Sequence, residues 1–211
     1  MKNFIAMLAV SMLILFLLIG YSTNVNSQLS QNIVRLHVIA NSDSEADQNL
    51  KLKVRDAILA KSRSDFTKKS QVTSQLDIYK KEAEDVIREN GFGYSVDVEY
   101  GNFNFPTKHY DNIALPAGNY DAVRIKIGKA EGKNWWCVMF PPLCFVDGTT
   151  SSQEADKKLK SMLDEESYDI ITAQNEDGSV PFEIKFKIVE FYGRLSGRDK
   201  VYAKAGVDKL Q

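Results

Sequence analysis

Cys137 and Cys144 are the two cysteines of the chain. They stand in NWWCVMFPPLCFVDG (Asn134 to Gly148), together with both tryptophans and an adjacent proline pair. Two chemistries suit such a stretch. A thiolate beside a histidine base makes a nucleophile, and the chain has His37 and His109 to offer. Two thiols separated by six residues, with Pro141-Pro142 forcing a bend between them, make a disulfide. A Cys/His/Asp set can be written with Asp43 or Asp111, but no local signature such as G-x-S-x-G accompanies it. The cysteine spacing and the two scattered histidines match no zinc pattern. Asp43/Glu45 sit where a helix starts, and Asp164/Glu165/Glu166 where a solvated helix ends. There is no glycine-rich phosphate loop. His37, mid-strand between Leu36 and Val38, occupies the place of a structural histidine. Catalysis is the weaker reading of these residues, and no catalytic, metal or cofactor site is assigned.

The compartment decides between thiol and disulfide. Phe4 to Gly20, FIAMLAVSMLILFLLIG, carries no charge and one polar residue, Ser11. At 1.5 Å per residue this run spans roughly 25 Å, near the lower limit for crossing a bilayer. Lys2 precedes it and the polar YSTNVNSQ follows, the layout of an export signal. The positive-inside rule keeps Lys2 in the cytoplasm and carries everything after Gly20 across the membrane. Gly20 and Ser22 supply small residues for cleavage without an A-x-A pattern, so residues 1–22 are read as a signal peptide or a retained anchor. No cysteine lies near the end of the run, so lipid attachment is not expected. Outside the cytoplasm the paired state of Cys137 and Cys144 is favoured over free thiols, and a loop this short stabilises by roughly 2–3 kcal/mol.

The elements that position these residues follow from periodicity. Lys+Arg 27 against Asp+Glu 28 gives a net charge of −1, which removes the electrostatic case for nucleic acid. IVRLHVIA (Ile33 to Ala40) reads as a strand with Val34, Leu36, Val38 and Ala40 on one face, and Ile33, Arg35, His37 and Ile39 on the other. Ser44 and Asp47 form a capping box for a helix with an apolar stripe of Leu50, Val54, Ala57 and Ile58, while Lys51, Lys53, Arg55 and Asp56 stay wet. A second helix follows with Val72, Leu76, Tyr79, Ala83, Val86 and Ile87, ending at Asn90-Gly91. In YSVDVEY, Tyr94, Val96, Val98 and Tyr100 face inward, and Ser95, Asp97 and Glu99 outward. Gly101 suggests a bulge, with Phe103 and Phe105 continuing the pattern to Pro106. His109 falls in PTKHYDN, a polar loop. Tyr120 to Ile127 and Trp135 to Phe140 read as a β-hairpin joined through Ala130 to Lys133. Ser151 and Glu154 cap a helix with Ala155, Leu159, Met162 and Leu163. Phe182 to Leu195 fits both strand alternation (Phe182, Ile184, Phe186, Ile188) and helical spacing (Ile184, Ile188, Phe191, Tyr192, Leu195), the helix being favoured by Gly197 just past its end. The fold class is α/β (α+β): a single layered domain over residues 30–196 with a mixed or antiparallel sheet packed by helices. Residues 197–211 read as a polar, flexible tail.

RLHVIANSDSEADQNLKLKVRDAIL (Arg35 to Leu59), VEYGNFNFPTKHY, and LPAGNYDAVRIKIGKAEGKNWWCVMFPPLCFVD (Leu115 to Asp147) together resemble the stage II sporulation protein R family of endospore-forming Firmicutes. The resemblance covers about Ile33 to Leu195. It implies a signalling protein made in the forespore and exported into the space between forespore and mother cell. There it activates a membrane-embedded aspartic protease, the stage II sporulation protein GA type, in the mother-cell membrane. That protease then processes the sigma-E precursor. The family carries no catalytic residues to transfer. Membrane contact is expected only through the N-terminal segment. Expected partner contacts are Arg35, His37, Asn41, Asp43, Trp135 and Trp136; the adjacent tryptophans point to opposite faces of their strand, so one is available as an aromatic anchor. The competing reading is an exported hydrolase using Cys137 or Cys144 with His37 or His109.

Overall fold

The structure is a computed structural model that describes residues 4–13, 16, 32–62, 69–110, 113–140, 157, 159–161, 163, 165–172 and 200–206, a few of them by backbone alone. Residues 4–13 are helical, with Phe4, Ile5, Met7 and Leu8 exposed. Among the described residues no helix is long and apolar enough to cross a membrane. Cys144, Ser151 to Ala155 and Phe182 to Leu195 lie outside the described residues.

Alternation builds the centre of the fold. Strand β1 (Val34–Ile39) sends Val34, Leu36 and Val38 into one core and Arg35 and His37 into the opposite one, so both faces are covered. It lies between β5 (Gly118–Ile127), to which it runs parallel, and β6 (Asn134–Phe140), to which it runs antiparallel. On the far side of β5 lies β2 (Val96–Phe105), and β7 (Lys200–Lys204) forms the other margin, giving the order β6-β1-β5-β2-β7. The sheet is therefore mixed, and the domain is α+β, as the periodicity predicts. The expected hairpin between β5 and β6 does not form. The apolar, two-faced β1 inserts between them and takes hydrogen bonds from both.

Helices α1 (Glu45–Ser62), the short α2 (Ser70–Thr73) and α3 (Leu76–Glu89) cover one face of the sheet. Leu50, Val54 and Ile58 from α1 meet Tyr79, Ala83 and Ile87 from α3 over Leu36, Val98, Val123 and Ile125. Each fully buried aliphatic side chain here contributes roughly 1.5–3 kcal/mol. Ser44 caps α1 by accepting the Asp47 amide at 3.2 Å. At the end of α3, Gly91 takes a φ of +80°, and the Phe92 amide reaches the Ile87 carbonyl at 3.0 Å, which closes the last turn.

The opposite face packs Ile33, Phe103, Phe105, Tyr120 and Val138 against a ribbon of β3 (Lys108–Tyr110) and β4 (Ile113–Leu115), with Leu159, Leu163 and Ile171 beyond it, the last in α4 (Glu165–Thr172). Three expectations change here. PTKHYDN contributes a strand rather than a loop, because Lys108 and Tyr110 pair with Leu115 and Ile113. Phe103 and Phe105 sit on the face opposite Val98: β2 runs in unbroken register with β5, and the irregularity expected at Gly101 occurs only against β7. Residues 200–204, read as tail, supply the outer strand, tied down by the Ala205 amide on the Val98 carbonyl at 2.8 Å and the Gly206 amide on Asp77 at 2.6 Å.

Tyr79 is fully buried, and its hydroxyl has no hydrogen-bond partner among the described residues. Burial alone pushes its ionisation far above the ordinary range. Tyr79→Phe removes that desolvated hydroxyl while keeping the ring, so the variant should unfold at a higher urea concentration, with a gain of about 1 kcal/mol.

Candidate functional site

The chain leaves β5 at Ile127 and must re-enter as β6 at Asn134 on the other side of β1, so residues 128–133 pass over the end of β1. The chain leaving β1 occupies the same place. The two segments meet through the backbone amides of Lys129, Glu131, Gly132 and Lys133, while those of Gly128 and Ala130 are satisfied elsewhere. Gly128 donates to the Ser95 carbonyl (2.9 Å), Ala130 to Ile127 (3.0 Å), Glu131 to Asn41 (3.2 Å) and Gly132 to Ala40 (3.0 Å). Lys129 donates to Asn41 Oδ1 (3.0 Å) and Lys133 to Asp43 Oδ1 (2.6 Å). Every amide from 128 to 133 is thus used. The approach is so close that a Cβ on Gly128 would lie 2.3 Å from Asn41 Oδ1, and one on Gly132 would lie 2.2 Å from the Ser42 carbonyl oxygen. Gly128 also needs the left-handed backbone, with φ +56°.

Asp47 holds the other half of this junction. Its Oδ2 accepts Ser42 Oγ at 2.6 Å and Asn41 Nδ2 at 2.8 Å. The Ser42 hydrogen bond, supported by Asn41, Tyr94 and Ser44, holds the Asp47 carboxyl below its ordinary value against the opposing effect of burial. Lys51, expected on the wet face of α1, is buried instead. Its ammonium donates to Gln48 Oε1 (2.6 Å) and the Lys133 carbonyl (3.1 Å), and burial, with Arg55 nearby, lowers its pKa.

Below the junction, on the face away from α1, the expected contact residues separate by depth. Arg35 is 0% exposed, its guanidinium 4.2 Å from the Phe105 ring centre and 5.0 Å from that of Tyr120. His37 is buried with its ring stacked on Trp136 at 3.7 Å, and its Nε2 is 2.9 Å from Asn134 Oδ1. Trp136 also meets Phe105 edge-on at 4.7 Å and remains half-buried. Trp135 points to the other face, under the Arg55 guanidinium at 4.2 Å. Asn41 is half-buried within the junction and Asp43 is exposed at its rim. The structure therefore brings Asn41, Asp43, His37, Trp135 and Trp136 to one end of the sheet, with Arg35 one step deeper.

Next to His37 across the sheet, Arg124 pairs with Glu99 at 2.5 Å. Glu99 also receives Lys126 (2.7 Å) and Lys204 (3.6 Å). The alternation of β2 marks Glu99 as outward-facing, yet it is only 1% exposed. Burial raises its pKa, but the hydrogen bonds from Lys126 and Arg124 outweigh that and hold it below its ordinary value. The three cations come from two other strands, so strand spacing alone gives no sign of this cluster.

Cys137 lies opposite Leu36 in the helix-covered core, while His37 faces the other side of the sheet opposite Trp136. A Cys137–His37 nucleophile is excluded by that register. His109 stands in β3 opposite Ala114, and its side chain lies outside the described residues. Among the described residues no group of His, Cys, Asp and Glu is arranged to hold a metal ion.

The family model described as stage II sporulation protein R matches residues 30–150, more than half of the chain. Stage II sporulation protein R of Bacillus subtilis (strain 168) is 32% identical over 220 residues, covering 92% of this chain and 98% of that protein. The chain belongs to the stage II sporulation protein R family. No solved structure matches it. The matched range of the family model spans β1 through β6 and contains the whole junction, while β7 lies beyond it.

Two outcomes follow from the junction. Gly132→Ala forces a methyl into the Ser42 backbone and should lower the unfolding free energy by about 3 kcal/mol in urea titrations. Asp47 has a depressed folded pKa, so its stabilisation is complete above the ordinary value of 3.8 and is lost as pH falls through the folded value. Stability measured downward from about pH 5 should fall more steeply in the natural protein than in Asp47→Asn, which is less stable at neutral pH.

Proposed function

We propose that this protein is an exported intercellular signal of sporulation. It acts in the space between forespore and mother cell on a membrane-embedded aspartic protease of the stage II sporulation protein GA type, leading to processing of the sigma-E precursor. Membership of the stage II sporulation protein R family over nearly the whole chain carries this reading. The exposed apolar helix at residues 4–13 supports export, with the N-terminus serving as signal peptide or anchor. Among the described residues no cysteine is free, which supports a Cys137–Cys144 bridge in an oxidising compartment.

The protein acts without chemistry of its own. It binds the active state of the protease more tightly than the inactive one and shifts the population accordingly, about tenfold for each 1.4 kcal/mol of preference. The contact surface is the end of the sheet that gathers Asn41, Asp43, Trp135 and Trp136, with His37 and Arg35 holding it from beneath. Opposite orientations of Cys137 and His37 weigh against a hydrolase.

Single alanine substitutions of His37, His109, Cys137 and Cys144, with precursor processing followed in sporulating cells, test this. On the ligand reading, His109→Ala signals normally, and His37→Ala loses activity only as far as it loses folded, exported protein. Complete loss in both a histidine and a cysteine variant that remain folded and exported would transfer the assignment to the hydrolase.

A further inference from the structure

We propose that β7 is a strap that opens by itself while the rest of the domain stays folded, held shut by acidic groups of β2 and α3.

The two margins of the sheet are built differently. At one margin, β6 ends in Cys137, Val138, Met139 and Phe140, all buried, so that strand cannot leave without opening both cores. At the other, Val201, Tyr202, Ala203 and Lys204 are all exposed, and neither face of β7 is covered over these residues. Among the described residues β7 pairs with β2 alone. Its ladder shifts between Tyr100 and Gly101, so that Tyr202 has no residue opposite it. A strand with few buried apolar contacts and solvent-exposed backbone bonds opens at a free energy well below that of global unfolding.

The fixings of β7 lie at its far end. The Ala205 amide donates to the Val98 carbonyl at 2.8 Å, and the Gly206 amide to Asp77 Oδ1 at 2.6 Å. The Lys204 ammonium reaches Asp97 Oδ2 at 3.2 Å and Glu99 Oε2 at 3.6 Å. Opening strands no buried charge. When Lys204 departs, Glu99 keeps both Arg124 and Lys126 from β5, so the buried carboxylate stays paired. Lys204 and Asp97, both partly exposed already, pass to water. The open state bares the margin of β2 from Val98 to Asn102, whose backbone groups water can satisfy.

Hydrogen exchange on the full-length chain, resolved to single amides, tests this. The Ala205 and Gly206 amides should be protected about a hundredfold less than the amides of β1 and β5. Their exchange should hardly depend on urea, because the opening exposes little surface. Lys204→Met removes one fixing and leaves the partners of Glu99 on β5 in place. It should speed exchange at Ala205 about tenfold and leave β1 and β5 unchanged. Gly206→Ala should act in the same direction from the end of the strap. It places a side chain at φ +74°, with its Cβ 3.3 Å from Lys80 Nζ. Protection at Ala205 equal to that of β1 and β5 in the natural protein overturns the inference. So does exchange that rises in all three strands together in either variant, or an Ala205 rate that neither variant moves.

Discussion

Insertion of β1 between β5 and β6 is the constraint on which the rest of the structure depends. Two strands close in sequence are held apart by one that comes about 85 residues earlier, so the β5–β6 connection has to bridge across the end of that strand. A bridging loop at a sheet end exposes backbone amides that neither strand can satisfy, and unsatisfied amides are costly. The chain resolves this by making the exit of β1 the main acceptor: the Ala40 and Asn41 carbonyls and the Asn41 and Asp43 side chains take the amides of Lys129, Glu131, Gly132 and Lys133, and Ser95 and Ile127 take those of Gly128 and Ala130. Asp47 and Ser42 then fix Asn41 from behind. ANSDSEAD and GKAEGKN are therefore two halves of one structural unit, and neither half makes physical sense alone.

The same insertion explains the buried charges. A strand in the middle of a sheet, with helices on one face and a ribbon with further helical segments on the other, has no solvent side, so Arg35 and His37 must find partners within the protein. Aromatic rings meet Arg35, and the indole of Trp136 meets His37. One strand further, Glu99 gathers Arg124, Lys126 and Lys204 from β5 and β7. Buried ion pairs add little net stability, because desolvation offsets most of their attraction. Their effect here is on register. A shift of one residue in β2 would place Glu99 in the aliphatic core beneath α1 and α3, and one in β5 would turn Arg124 and Lys126 away from it.

What was legible in the sequence was local. Period-two alternation located β1, β2, β5 and β6, helical spacing located α1 and α3, and the Ser44 cap and Asn90-Gly91 stop fall where the residue types place them. Pairing was not legible, because adjacent strands with a short loop read as a hairpin whether or not a third strand lies between them. Glu99 and Lys51 escape the pattern for a related reason: alternation and helical stripes report which face a residue takes, not what waits there. The partners of Glu99 come from β5 and β7, and Lys51 reaches a carbonyl 82 positions away. Residues 200–204 give no burial signal, since Val201 and Tyr202 stay exposed and β7 is held by β2's backbone and by its ends. Residue type alone marks Arg35, His37, Asn41, Asp43, Trp135 and Trp136 as candidate contacts. Their convergence on one end of the sheet is visible only in three dimensions, as is the depth at which Arg35 and His37 sit.

The state of that end bears on how such a protein can act. These residues are tied into the fold: Asn41, Asp43 and Asp47 to backbone, hydroxyl and amide donors, His37 to an indole and an amide, Lys51 to a carbonyl. The proposed action by contact asks for a surface whose shape is settled before the encounter. Free energy released by stitching the loop is spent during folding, so it does not have to be recovered from the interface. The differential affinity that drives a partner from one state to another can then come from a small number of exposed charges and two aromatic rings held in place.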